Sequence, residues 1–139
     1  MNPNVFNVES IEFCVHGDKR GKLIALEQLT DKVPFEIKRV YYIYDTKKKM
    51  ARGNHTHRAL KQILVCLKGT CTIVCETPDG NILEYKLSKP EIGLMIQGLV
   101  WRQMKDFSED AVLMVLANEH YNEDDYIRDY EVFKKECGR

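Results

Sequence analysis

Two histidines separated by one residue are the feature of this sequence best suited to chemistry. His55 and His57 lie near the start of the segment 53–69, which runs from Gly53 to Gly69. If this segment starts as a strand, both imidazoles point to the same side, because strand residues two apart share a face. Imidazoles, with an ordinary pKa of about 6.5, can start a metal site or transfer protons near neutral pH. The spacing alone leaves open the alternative that they are surface histidines.

The residues after this pair resemble the first motif of the cupins. In that motif Glu normally stands where this chain has Gln62, and Gly69 follows at the expected distance. The second cupin motif normally supplies another His, and Arg102 stands at that position. A guanidinium stays protonated and has no lone pair for a metal. The resemblance therefore implies a cupin without a catalytic metal or another cofactor, in which His55 and His57 move protons.

A longer ordered set of segments is similar to the dTDP-4-keto-6-deoxyglucose 3,4-ketoisomerases of the WxcM-like cupin group. The set covers nearly the whole chain, from Arg20 to the C-terminal helix. These enzymes often carry His where this chain has Arg102, which is the one departure. The segments that carry the resemblance are 38–45, 52–57, 62–69, 100–101 and 125–130.

The resemblance implies an isomerase that moves the keto group of dTDP-4-keto-6-deoxy-D-glucose from carbon 4 to carbon 3. The product is a dTDP-3-keto-6-deoxyhexose for the synthesis of unusual sugars and amino sugars. The reaction removes a proton from carbon 3, passes through an enediol and returns a proton to carbon 4. His57 is the first choice for the base and His55 the second, since a base near neutral pKa suits this step.

A tyrosine hydroxyl is expected to donate a proton or a hydrogen bond in this reaction. Tyr41 and Tyr42 are adjacent, so they face opposite sides of their strand and only one can enter the barrel. The resemblance favours Tyr42, and a packing role for either ring stays open.

The two phosphates of the substrate require cations at the barrel mouth, where guanidinium groups match phosphate oxygens. Arg20, in the turn between the first two strands, is expected to complete a neighbouring subunit's site. Solvated faces, core packing and an outward ion pair of Arg102 are the structural alternatives. The expected substrate-binding residues are Arg20, Arg39, Arg52, Lys61, Trp101, Arg102 and Gln103.

The elements that must position these residues are mostly strands. Short segments rich in β-branched and aromatic residues, at regular spacing, predict an all-β sandwich or barrel, and the resemblance makes it a cupin jelly roll. A C-terminal helix over 122–136 is predicted from Asn122 as its N-cap and from the apolar residues Tyr126, Tyr130 and Phe133. The predicted strands cover 11–15, 23–27, 35–44, 63–67, 71–76, 82–87, 94–96, 101–104 and 111–117.

Length and composition limit the remaining possibilities. The 139 residues fit one cupin domain, 1–139, with a barrel over about 5–118. Lys+Arg and Asp+Glu number 21 each, which argues against a nucleic-acid partner and a polybasic membrane anchor. No apolar run approaches the ~18 residues of a membrane span. Residues 1–10 do not resemble a signal peptide, and five cysteines without a C-x-x-C pair predict reduced thiols in the cytoplasm.

The exposed edges of such a barrel predict a homodimer with exchanged N-terminal strands. Three alternative functions stay open. A dTDP-sugar 3,5-epimerase would act on the same substrate by similar chemistry. A metal-dependent cupin would add His120 or His16 to the histidine pair. A non-catalytic module would bind the sugar without turnover.

Overall fold

The computed structural model describes residues 5–47 and 50–139, which form antiparallel strands and one short C-terminal helix, α1 (Tyr130–Glu136). The first four residues of the predicted domain 1–139 therefore lie outside the described residues. The strands are β1 (Asn7–Glu12), β2 (His16–Asp18), β3 (Gly21–Leu23), β4 (Arg39–Ile43), β5 (Arg52–His57), β6 (Lys61–Lys68), β7 (Cys71–Glu76), β8 (Ile82–Leu87), β9 (Ile92–Gln97), β10 (Trp101–Lys105), β11 (Val112–Ala117) and β12 (Tyr126–Ile127).

Two five-stranded sheets face each other, as expected for the cupin jelly-roll barrel. The first has the order β1-β9-β6-β11-β4 and the second β12-β5-β10-β7-β8, while β2 and β3 form a separate hairpin. Strand alternation on β6 sends Leu64 and Cys66 into the core between the sheets, and Ile63 and Val65 to the outer face. Gln62 has the same parity as Leu64 and therefore points into the barrel.

The segment between β3 and β4 is not the pair of strands predicted at 23–27 and 35–44. Strand β3 ends at Leu23, and β4 begins only at Arg39. Between them Val33 and Phe35 are buried in a loop, where they pack with Ile63 and Val65 on the outer face of the first sheet. These residues, although typical of strands, thus stabilise the packing of a loop on the first sheet and do not form a strand.

The predicted helix over 122–136 is wrong in its first half. Asn122 caps a 3-10 turn (Glu123–Asp125), its side chain accepting from the Asp124 N–H. Tyr126 then pairs with His57 as β12 on the edge of the second sheet. Helix α1 starts only after Asp129, whose side chain accepts from the backbone N–H groups of Glu131 and Val132. Within the described residues, no helix is long and apolar enough to cross a membrane.

Candidate active site

A bulge in β5 places the histidine pair at the mouth of the barrel. On β10, Arg102 pairs with His55 and Gln103 pairs with Gly53, so Asn54 is the extra residue. Gly53 has φ +92°, and a Cβ there would lie 3.1 Å from the carbonyl oxygen of Arg102. This position therefore needs glycine, both for its conformation and for the close approach of β10.

The two imidazoles contact each other directly. Their Nε2 atoms lie 3.1 Å apart, and their rings are nearly perpendicular. The ring of Tyr126 packs against both, with its centroid 4.2 Å from that of His57. Contact between two ring nitrogens needs one hydrogen between them, so one imidazole donates and the other accepts. Such a pair can hold and transfer a single proton.

A carboxylate faces the far side of His57. Asp125 is held by its Oδ1 atom, which accepts from the backbone N–H groups of Arg58 and Ala59 at 3.2 and 3.1 Å. Its Oδ2 atom lies 3.7 Å from Nδ1 of His57. In the described residues this buried Nδ1 has no hydrogen-bond partner. The negative charge of Asp125 favours a hydrogen on Nδ1, which leaves Nε2 as the basic nitrogen.

Both histidines are neutral at physiological pH. Burial, and then the positive charge of Arg102, lower the pKa of His55 to about 4. Burial also lowers the pKa of His57, and the positive charge of Arg102 adds to this effect. A neutral imidazole can accept a proton, which is the state that a general base needs.

Arg102 is fully buried and points into the barrel, so the outward alternative for this residue is wrong. Its Nε and one terminal nitrogen donate to the carbonyl oxygen of Val100, at 3.3 and 3.0 Å. The other terminal nitrogen donates to Oε1 of Gln62 at 2.5 Å. None of its hydrogen bonds within the described residues reaches a carboxylate. A buried cation in this setting provides positive potential inside the cavity.

Tyr41, and not Tyr42, faces the site. The hydroxyl oxygen of Tyr41 accepts from Nε2 of Gln62 at 3.0 Å, inside the barrel. Tyr42 is 64% exposed on the outer face, where its ring lies beside that of Tyr44. The preference for Tyr42 is therefore corrected: alternation on β4 puts Tyr41 on the same inner face as Ile43.

The barrel mouth holds two clefts of about 430 Å³ each. They share Arg39, Tyr121 and Tyr126. The first, which we call the arginine cleft, also contains His55, Tyr41, Arg52 and Arg128. The second, which we call the carboxylate cleft, also contains His57, Asp125, Glu119 and His120. One histidine of the pair thus opens to each cleft.

The arginine cleft brings together two of the cations expected from the sequence. Arg39 lies over the rings of Tyr41 and Tyr121, and Arg52 lies at the start of β5. Arg128, which sequence reasoning did not select, stacks over Tyr126 at 4.3 Å. Three guanidinium groups around one cleft suit a diphosphate.

Three expected substrate-binding residues lie elsewhere. Trp101 and Gln103 have the opposite parity to Arg102 on β10 and face outward. The ring of Trp101 packs against Tyr130 and Phe133, and the Gln103 amide donates to Asn54. Lys61 lines neither cleft. The expected substrate contacts of these three residues are therefore corrected. Trp101 packs against α1, Gln103 bonds to the bulged residue of β5, and Lys61 is the first residue of β6. The fully buried Arg102 lines neither cleft as well, so its expected contact with the substrate is corrected to an electrostatic effect from below the cleft surface.

Arg20 is also remote from both clefts of its own chain. It lies in the β2–β3 hairpin, where its side chain is 90% exposed and pairs with Asp18 at 2.6 Å. His16, considered as a remote metal ligand, lies in the same exposed hairpin. Across residues 5–47 and 50–139, no three His, Cys, Asp or Glu side chains are grouped closely enough to hold a metal ion.

Comparison with known proteins shows the family of this fold and site. Residues 6–138 match the family described as FdtA: WxcM-like, C-terminal. The chain belongs to this WxcM-like family. The curated TDP-4-oxo-6-deoxy-alpha-D-glucose-3,4-oxoisomerase of Aneurinibacillus thermoaerophilus is 51% identical over 119 residues, covering 85% of this chain and 84% of that relative.

Two solved structures extend the comparison. A 3,4-ketoisomerase from Helicobacter canadensis is 45% identical with a TM-score of 0.91, covering 96% of this chain and 98% of the other. A sugar 3,4-ketoisomerase from Thermoanaerobacterium thermosaccharolyticum, in complex with TDP, is 44% identical with a TM-score of 0.91, covering 96% of both chains. The WxcM-like resemblance and the all-β cupin fold expected from the sequence are confirmed.

The WxcM-like site also contains residues that sequence reasoning missed. Asp125, Tyr126 and Arg128 lie in the segment 125–130, which contributed to the resemblance but was assigned to a helix. Gln62 was recognised only as a replaced metal ligand. The pairing of β12 with β5 brings Tyr126 to the histidines, and no local spacing in the sequence predicts this contact.

Proposed function

We propose that this protein is a 3,4-ketoisomerase that converts dTDP-4-keto-6-deoxy-D-glucose to a dTDP-3-keto-6-deoxyhexose. The observation that carries the proposal is the neutral, contacting pair of His55 and His57 beside a buried cation, in a chain 51% identical to a TDP-sugar 3,4-oxoisomerase. The pair supplies a base, and Arg102 supplies positive potential for the negative charge that develops after proton removal.

In the proposed mechanism the Nε2 hydrogen of His55 turns from His57 to a sugar oxygen, and the Nε2 atom of His57 that this frees takes the proton from carbon 3. The electrons of that C–H bond form the double bond between carbons 3 and 4, and the carbonyl oxygen of carbon 4 becomes an enediolate oxygen. Arg102 stabilises this charge, and Asp125 stabilises the imidazolium formed on His57. The hydroxyl proton on oxygen 3 passes to oxygen 4, and the proton held by His57 is delivered to carbon 4 as the carbonyl forms at carbon 3.

The diphosphate of the substrate is proposed to bind in the arginine cleft. Arg39, Arg52 and Arg128 supply the positive charge there, next to His55. Tyr41 and His55 line this cleft, and His57 contacts His55 from the adjoining carboxylate cleft, so we propose that the sugar attached to the diphosphate extends across the histidine pair. The nucleotide therefore anchors the substrate, and the reacting carbons sit where the base is.

Incubation with the substrate in deuterated water, followed by carbon and proton NMR, tests the proposed function. We expect the carbonyl signal to move from carbon 4 to carbon 3, and in a parallel sample a 3-aminotransferase should convert the product to a 3-amino sugar. A 3,5-epimerase would keep the carbonyl at carbon 4 and exchange the hydrogens at carbons 3 and 5. A binding module would bind dTDP without changing the sugar.

We expect activity to survive chelators. Gln62 and Arg102 stand beside the histidines where a metal-binding cupin has ligands, and a guanidinium repels a cation. Turnover should be unchanged after prolonged dialysis against EDTA, measured beside untreated enzyme prepared without a metal-binding tag. Activity that EDTA removes and a divalent metal restores would make the metal-dependent alternative correct.

We also propose a homodimer with exchanged N-terminal strands, in which Arg20 serves the partner's site. Arg20 is exposed and outside both clefts of its own chain, and an apolar groove containing Val15, Leu67 and Met114 lies near its hairpin. Light scattering at micromolar concentration is expected to give the mass of two chains. A stable monomer with full activity would contradict both statements.

The cytoplasm is the proposed location. All five cysteines are free thiols in the structure, as suits a reducing compartment.

A further inference from the structure

Three polar side chains form an unbranched hydrogen-bonded chain across the barrel interior. Arg102, on the second sheet, donates to Oε1 of Gln62, on the first. Gln62 in turn donates from Nε2 to the hydroxyl oxygen of Tyr41. Gln62 is 2% exposed, so this chain lies away from solvent. The mechanism above uses Arg102 at one end and leaves Gln62 without a role.

The direction of these hydrogen bonds is fixed from the Arg102 end. A guanidinium has N–H groups and no acceptor, so only the carbonyl oxygen of Gln62 can face it. The amide nitrogen of Gln62 must then face Tyr41, which resolves the usual ambiguity in the orientation of an amide. Because Nε2 donates, the phenol oxygen of Tyr41 accepts, and the hydroxyl hydrogen points elsewhere.

Tyr41 lines the arginine cleft together with His55, so this hydrogen has room to point into that cleft. Burial raises the pKa of Tyr41, so its phenol stays protonated and able to donate. A substrate oxygen in the cleft would therefore meet a hydrogen-bond donor that is already oriented. Orientation before the reaction is what makes such a donor effective toward a developing oxyanion.

We propose that Gln62 is a positioning residue that makes Tyr41 accept within the barrel and so present its hydroxyl hydrogen to the enediolate oxygen of the substrate. Tyr41 is then the residue that contacts the reacting atoms, and Gln62 acts through it. The assignment rests on the proposed ketoisomerase activity.

Gln62→Glu reverses the hydrogen bond between residue 62 and Tyr41, and keeps the one from Arg102, with almost no change in shape. A carboxylate accepts from Arg102 and also from Tyr41, so the tyrosine hydrogen turns toward Glu and away from the cleft. The same carboxylate pairs with a buried guanidinium, so we expect the thermal midpoint to be equal to or higher than that of the unaltered enzyme. A merely structural role for Gln62 would then leave turnover intact.

The test is a double-mutant cycle on kcat with dTDP-4-keto-6-deoxyglucose. Tyr41→Phe removes the donor, and we expect kcat to fall about 10²-fold, as for other oxyanion donors. Gln62→Glu should lose nearly as much kcat, with KM changed by less than about 3-fold because the arginine cleft is intact. The double variant should be no slower than Tyr41→Phe alone, since both changes remove one interaction.

Other outcomes overturn the assignment. If Gln62→Glu keeps its kcat, the direction of the chain does not matter. If the fold decreases in kcat of the two single variants multiply in the double variant, the new carboxylate acts through Arg102 rather than through Tyr41. Gln28→Glu, on an exposed loop, is the matched control and should behave as the unaltered enzyme. If Gln62→Glu does not fold, Gln62→Leu enters the same cycle, with the same requirement that Tyr41→Phe abolishes its effect.

Failure of the proposed function gives a different result. The unaltered enzyme would then leave the carbonyl at carbon 4, and there would be no kcat with which to compare the variants. A working ketoisomerase with multiplying losses rejects the role of Gln62 alone.

Discussion

His57→Asn is expected to lower turnover by ~10²–10⁴-fold, the usual cost of losing a general base. Asparagine keeps a hydrogen-bonding group at the position but cannot accept a proton near neutral pH. Binding of dTDP should persist, because the guanidinium groups of the arginine cleft are unchanged. Single-turnover assays together with calorimetric titration of dTDP separate these two effects.

The matched control is His16→Asn, which makes the same replacement on the exposed β2 strand and should leave turnover unaltered. His55→Asn distinguishes the two members of the pair. If that variant is inactive while His57→Asn turns over normally, the base is His55. If both variants retain turnover, the histidine pair does not perform the proton transfer.

The local pattern of the sequence was sufficient for part of this site. The i, i+2 spacing of His55 and His57 predicted one shared face, and their ring contact confirms it. The ordered segments also indicated the WxcM-like family and its all-β fold. These features depend on alternation within single strands, which needs no knowledge of the rest of the chain.

Other features depend on which face of a strand the tertiary structure covers. Adjacent Tyr41 and Tyr42 are equivalent by alternation until the position of the barrel interior is known. The same holds for Trp101 and Arg102: the large aromatic residue packs under α1, and the cation is the one buried inside. Hydrophobicity alone would place Trp101 inside the barrel and Arg102 outside it, because charged residues are seldom fully buried.

The C-terminal segment was mispredicted for a related reason. Tyr126, Tyr130 and Phe133 have helical spacing, but only the last two lie on α1. Hydrogen bonding of Tyr126 to the β5 edge, which is distant in sequence, overrides its helical periodicity. This same pairing delivers Asp125 to His57, so the error in the fold and the omission in the site have one cause.

Arg102→Met should separate activity from stability. The substitution keeps much of the side-chain length but removes the buried positive charge that acts on the histidine pair and the proposed enediolate, so kcat is expected to fall by ~10²–10³-fold. Stability should not fall with it. A buried guanidinium without a carboxylate partner carries a large desolvation cost, and a well-packed apolar side chain of similar volume relieves that cost. We expect the thermal midpoint to be unchanged or higher.

The pH dependence of the same variant gives a second, independent measurement. After burial, the charge of Arg102 is the next cause of the low pKa of His55 and of His57. Without that charge both pKa values rise toward the ordinary value, so the imidazoles become protonated at a higher pH. The acidic limb of the kcat profile should therefore move to higher pH, because a protonated imidazole cannot act as a base.

Two further variants show whether kcat and the acidic limb depend on the positive charge of Arg102 or on the bidentate geometry of its guanidinium group. Arg102→Lys keeps the charge but loses the bidentate geometry, so its acidic limb should stay near that of the unaltered enzyme even if kcat falls. Lys105→Met removes a partly exposed cation from the same strand and should change neither quantity. If Arg102→Met leaves kcat, the acidic limb and dTDP affinity unaltered, the buried cation takes no part in the reaction. A loss of kcat that only follows a lower thermal midpoint would assign Arg102 to the fold instead.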